Sequence, residues 1–204
     1  MPQDATYTEL SDAFQAIAGL ATLTAEDSYY LRSTVNTAAN RAYDEFWGWP
    51  RFLVVGEERN VSGAQTVPYV QAGKDTVGEF IKVHKKQPFV DDSVTEYEFY
   101  VDSTGAKILG LGNTTPATVW VTYKKEYTPA YDEDSTDIPR EFFDFILYSC
   151  LAAFYSGDGQ VEKAAINKNY AQDFLDGELQ RIISRSGQNR IWGKINTHLN
   201  KQRR

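Results

Sequence analysis

The side chains that most often ligate transition metals or attack substrates are scarce in this sequence: two histidines, His84 and His198, and one cysteine, Cys150. A zinc site needs several donors converging in space, usually betrayed by tight His or Cys spacing. That spacing is missing, and no metal is expected. His84 falls between Val83 and Lys85 in an alternating run and reads as a solvated or hydrogen-bonded strand residue. Cys150 sits in the most apolar stretch, where a thiol is normally buried and inert. Glu96 and Glu98 have the look of paired carboxylates for glycoside hydrolysis. Strand alternation puts both on one face beside Tyr100, so a polar outer face is the plainer account. Gly110-Leu111-Gly112 opens like a dinucleotide fingerprint, but Thr115 holds the third glycine position and a hairpin surrounds it. Gly73-Lys74 follows Pro68 where a phosphate loop needs glycine. The acids from Asp132 to Asp137 lack the turning glycine and later glutamate of a calcium loop, and read as a solvated loop feeding a helix cap. No catalytic residue and no cofactor is expected, and an enzyme is the least favoured reading.

Charge distribution is more informative. From Arg181 to Arg204 there are seven basic residues and no acid, on a chain of formal charge −7. Without that stretch, 14 basic residues face 28 acidic ones, a balance of −14. A basic terminus is often a solvated arm or binds nucleic acid. Here Ile191, Ile195 and Leu199 recur every fourth residue with Trp192 adjacent, a stripe that solvation does not require. Trp and Arg are also the types enriched at interface hot spots. Arg190, Ile191, Trp192, Lys194, Ile195, Leu199, Lys201, Arg203 and Arg204 are therefore read as a docking tail for another protein.

The elements that carry these residues follow from periodicity. Leu10, Phe14 and Ile17 mark a short helix closing near Gly19. Thr24 precedes Asp27 as in a capping box, and Leu31, Val35, Ala38, Ala42 and Phe46 continue one face, predicting a helix over 25–47 that stops before Gly48-Trp49-Pro50. Period-two runs around 80–84, 97–101 and 119–124 predict strands, with a turn at Asp102-Ser103-Thr104-Gly105 and another at Gly112–Pro116. Asp137 is placed to cap a helix with Pro139 and Glu141 in its first turn. That helix, through Phe142, Phe143, Phe145, Ile146, Leu147, Leu151 and Phe154, is apolar on nearly every face, as in a core or between subunits. Gly157-Asp158-Gly159 ends it, and a last helix runs from about Gln160 to Arg185 with Val161, Ala164, Phe174, Leu175, Leu179 and Ile182 as its apolar positions.

The expected class is α+β: about four helices in a bundle, an antiparallel β module inserted between the N-terminal and C-terminal pairs, and an extended C-terminal tail. The boundaries fall at 1–50, 51–130, 131–185 and 186–204. The 42% hydrophobic and 14% aromatic content fits a folded chain. One cysteine excludes an internal disulfide within these residues and suits a reducing cytoplasm; the acids Asp4, Glu9 and Asp12 do not suit a signal peptide and none is expected, and no apolar run reaches membrane length.

Three segments resemble the head-to-tail adaptors of tailed bacteriophages, the tubular tail protein A or gatekeeper family. They are Ala39-Asn40-Arg41-Ala42-Tyr43 leading to Trp47-Gly48-Trp49-Pro50; Tyr100-Val101-Asp102 to Ile108 followed by Val119-Trp120-Val121-Thr122-Tyr123; and Ile138-Pro139-Arg140-Glu141-Phe142-Phe143 through Ala152-Ala153-Phe154 to Glu162-Lys163-Ala164. The resemblance spans about residues 10–185, and the order of segments carries it. It implies a structural virion protein of the neck, made in the host cytoplasm. Twelve copies would form a ring beneath the portal, with helices forming the ring, β modules facing the tail nozzle or next tail ring, and a C-terminal extension on the portal protein. Leu31, Val35, Phe46, Phe142, Phe145 and Ile146 are then expected to pack subunit against subunit. Double-stranded DNA would pass without specific binding, since an acidic body repels phosphates. Two alternatives stay open: a head-completion or stopper ring of a long-tailed phage, and a carbohydrate-binding module recognising host glycans through exposed Tyr and Trp, with Trp120 as its test residue.

Overall fold

The computed structural model describes residues 4–63, 65–88, 90, 95–111 and 116–185. The chain is α+β and divides into a helical unit, up to Ala42 and from Pro129 onward, and a β unit, Tyr43–Thr128, inserted between those two parts. The division falls inside a helix rather than after Pro50.

Helix α1 (Tyr7–Ala18) starts at a full capping box. Thr6 Oγ1 accepts from the Glu9 N–H at 3.0 Å while Glu9 accepts from the Thr6 N–H at 3.1 Å, satisfying two donors that the helix leaves orphaned. It closes on Gly19 at φ 76°, where a side chain would be strained. Helix α2 (Ala25–Glu45) begins with the expected Thr24–Asp27 pair, reciprocally bonded at 3.1 and 3.2 Å. Asn36 of α2 grips the extended segment that returns from the β unit: its Nδ2 donates to the Tyr131 carbonyl at 3.1 Å and its Oδ1 accepts from the Tyr131 N–H at 2.7 Å.

Asp137 does not cap the next helix. Ile138 instead exchanges backbone hydrogen bonds with Ala5, which holds the chain extended at that point, and helical geometry starts as a 3-10 turn (Arg140–Phe142) leading into α3 (Phe143–Gly157). A tertiary pairing between distant segments overrides the local cap. Residues 158–160 then turn the chain into α4 (Val161–Arg185), which packs along α3, while α1 meets α3 through the edge-on Phe14–Phe154 ring pair at 5.6 Å.

The β unit holds two antiparallel sheets rather than one. Strands β1 (Leu53–Asn60), β3 (Val77–His84), β4 (Glu96–Tyr97) and β7 (Thr118–Lys125) form a sheet in the order β1-β7-β3-β4; β2 (Thr66–Pro68), β5 (Phe99–Asp102) and β6 (Gly105–Ile108) form one in the order β2-β6-β5. β5 and β6 make the expected hairpin across Ser103-Thr104, but β6 and β7 lie in different sheets. Both sheets contribute to one apolar cluster: Val67, Ala106 and Ile108 from the second, Val77, Phe80, Val83, Val119, Val121 and Tyr123 from the first. Glu96 and Glu98 therefore do not share a strand. Glu96 ends in an ion pair with Lys82, and Glu98 lies at the step from one sheet to the other.

Candidate docking surface

Helix α4 has two apolar stripes, and among the described residues only one is covered. Asn167, Ala171 and Leu175 are buried, Leu175 at 1% exposure. Ile166, Tyr170 and Phe174, four residues apart like any row on one helix face, are 51%, 50% and 42% exposed. They form a ridge extended by α3, whose Tyr148 ring stacks on Phe174 (5.2 Å, 13°) and meets Tyr170 edge-on (5.6 Å, 64°). Exposed acids Glu162, Asp173 and Asp176 stand on the same helix. Lys163 and Lys168 are exposed there as well, so the row is an apolar surface flanked by charges of both signs, a composition suited to contact with another protein segment.

The residues expected to pack subunits together are differently placed. Leu31, Val35, Phe142, Phe145 and Ile146 are all buried in the helical unit's own core, which leaves them no surface for a neighbour. Phe46 is half-buried in the β unit against the Trp47 and Trp49 rings. The docking-tail residues Arg190, Ile191, Trp192, Lys194, Ile195, Leu199, Lys201, Arg203 and Arg204 lie outside the described residues. Phe174 and Val161, read from sequence as ordinary apolar positions of α4, face outward. The Ile166–Tyr170–Phe174 row went unread although its spacing was visible; periodicity shows that a stripe exists but not whether it is covered.

In the β unit the polar groups with the strongest perturbations hold structure together. Arg59 is fully buried, 3.1 Å from Glu57 and 4.4 Å from the centre of the Tyr123 ring, and it donates to the Asp75 carbonyl. Tyr123 donates to the same Glu57 at 2.8 Å, and burial foremost pushes its hydroxyl up to about 12, despite the opposing Arg59. A phenol held there keeps its proton at neutral pH, so this cluster ties β1, β7 and the 74–75 loop rather than supplying a base. Lys124 is buried over the Tyr43 ring and donates to the Tyr43 carbonyl at 2.6 Å. Burial lowers its pKa, while Glu79 and Asp44 oppose the shift. His84 is buried with Nε2 3.0 Å from Thr122 Oγ1, and burial lowers its pKa, which favours the neutral ring. Cys150 is buried in α3, and burial drives its thiol far up, away from the reactive thiolate. Among the described residues, no three His, Cys, Asp or Glu side chains are grouped to hold a metal ion.

A cleft of about 490 Å³ opens in the β unit between Tyr43, Tyr69, Thr76, Gly78, Glu126 and Tyr127. Two of its hydroxyls are already committed: Tyr43 donates to the Lys125 carbonyl at 2.6 Å and Tyr69 to the Asp102 carbonyl at 3.1 Å. The cleft offers aromatic rings and one exposed carboxylate, Glu126, and Trp120 is not among its lining residues. Comparison with protein-family models and with curated proteins finds no match for this chain.

Proposed function

We propose that this chain is a non-enzymatic structural adaptor of a phage neck, a ring joining portal to tail through which double-stranded DNA passes. The observation that carries the proposal is the α4 ridge: a half-exposed aromatic and aliphatic row on the helix that leads directly into the basic, tryptophan-bearing terminus. An apolar row of this kind, not covered by the described residues, fits a surface that is completed by docking during assembly. Further support comes from the segment order of the sequence resemblance, from a β unit inserted between two halves of a helical unit, and from a body acidic enough to let DNA slide rather than bind. Among the described residues no helix is long and apolar enough to cross a membrane. In this reading the tail meets an acidic portal surface with Trp192 as anchor, the copies form a ring of about twelve by the resemblance, and the β unit meets the tail nozzle or next tail ring.

Light scattering after size-exclusion chromatography, on the protein alone and mixed with portal rings at low and high salt, tests this. Multi-copy, salt-sensitive association is expected; no association at any salt sinks the adaptor reading. Trp192→Ala with Leu199→Ala is expected to leave the body folded and to weaken portal binding, and unchanged binding would remove the tail from the mechanism. A second reading, glycan recognition, draws on the tyrosine-lined cleft. Its test residue is Tyr69 or Tyr127 rather than Trp120, with tyrosine or tryptophan emission on glycan addition as the readout.

A further inference from the structure

The α4 ridge and the C-terminal stripe match in spacing, in polarity and in charge. Ile166, Tyr170 and Phe174 repeat every four residues, and so do Ile191, Ile195 and Leu199. On a helix this repeat presents apolar groups about 6 Å apart, and an amphipathic segment with the same repeat is of the kind that lies against such a row. Trp192 adds a side chain of the type that anchors such contacts. The charges are opposite in balance: residues 186–204 carry five basic residues and no acid, while Glu162 and Asp173 border the ridge, with Lys163 an exposed base beside them. Chain length permits the encounter. Phe174 lies about 16 Å along the axis from the end of α4 at Arg185, at 1.5 Å per residue. The residues 186–195 reach up to about 33 Å when extended, which covers that distance with slack for the turn. A tether this short gives an effective concentration in the ~mM range, so a copy's own tail competes well against a second copy at micromolar protein.

The geometry points to the segment Ile191–Leu199 of the same chain as the cover of the α4 ridge in the free protein. The seat takes from the proposed function only that this segment docks, and it holds whichever partner the tail finally meets. Its consequence is that ridge and tail are hidden together before assembly and released together when a partner takes the tail, so that copies with uncovered ridges arise only where a partner is present.

The test uses the full chain without portal protein. A Phe174→Cys/Ile195→Cys pair and an Asp176→Cys/Ile195→Cys pair are oxidised with diamide at about 1 µM protein, and cross-links are mapped by mass spectrometry after proteolysis. Asp176 is exposed, nearer the tail along the chain, and about 200° round the helix from Phe174, so it controls for reach without sharing the ridge. Buried Cys150 is a poor competitor. An intrachain link forming about tenfold faster in the Phe174 pair is expected, with the advantage shrinking in high salt, as screening requires. Equal rates, or links between chains in place of links within them, overturn the proposal. As a second measurement, amide exchange over residues 191–199 is expected to speed up in Phe174→Asp; unchanged exchange overturns it equally. Neither readout involves portal rings, so failure here leaves the adaptor test untouched, and the reverse also holds.

Discussion

Leu175 and Ile166 lie on one helix, and replacing either by alanine deletes the same number of carbons. Leu175 is 1% exposed and Ile166 is 51% exposed. Removing a buried leucine loses its transfer free energy and leaves a cavity, at a cost of about 2–5 kcal/mol; with the neighbouring α3 packed tightly, about 3 kcal/mol is expected for Leu175→Ala. For Ile166→Ala only about half of a ~2 kcal/mol transfer term is at stake, and alanine returns about 0.4 kcal/mol in helix propensity, leaving about 0.5 kcal/mol. With a urea dependence of about 2–3 kcal/mol per molar, the midpoints should fall by about 1–1.5 M and about 0.2 M respectively. Urea unfolding followed by far-ultraviolet circular dichroism reads the helical unit. Equal midpoint shifts for the two variants would refute the assignment of one α4 stripe to the core and the other to a docking surface, and with it the reasoning built on the ridge.

Thr24→Ala is expected to destabilise the helical unit by about 1 kcal/mol through loss of the α2 cap, and Thr24→Ser to restore most of it in the same urea assay. Gly105→Ala is expected to cost about 3 kcal/mol, because φ is 144° and a Cβ would sit 2.0 Å from the Val67 carbonyl oxygen; a change below a few tenths in β-unit unfolding would contradict the β2–β6 register. The lowered pKa of His84 means that the unfolded state takes up its proton first as pH falls. Its contribution to stability is therefore whole above about pH 6.5 and is lost progressively below that, towards the folded-state value. Stability of His84→Gln relative to wild type, measured by urea unfolding between pH 7.5 and 5, should improve with acidification; a constant difference would show that the ring is not held neutral.

Local chemistry was readable wherever a short segment settles its own geometry. The Thr24–Asp27 cap, the Gly19 stop and the two-residue turn at Ser103-Thr104 appear as expected, since each depends on residues three or four apart. Failures occur where distant segments compete for the same backbone. Asp137 has the right type for a cap, yet Ile138 pairs with Ala5 and the helix starts later. Glu96 and Glu98 alternate as one strand would have them, yet the chain leaves one sheet and joins another between them. Arg59 in β1 and Thr122 and Lys124 in β7 are polar yet buried, which no local pattern signals; β1 is also irregular at Val54–Glu57 around Gly56 (φ 64°), where strict alternation shifts.

By itself the sequence determined the class, the order of helices around an inserted β module, and the contrast between an acidic body and a basic, tryptophan-bearing terminus, because periodicity and charge are properties of the chain before it folds. Only the tertiary structure decided which apolar positions are spent in the core. Leu31, Val35, Phe142, Phe145 and Ile146 are consumed there, while Ile166, Tyr170 and Phe174 are left over. A stripe's period is set within one helix, whereas its burial depends on which other helix lies against it, and the pairing of α3 with α4 buries one stripe of α4 and leaves the other half-exposed.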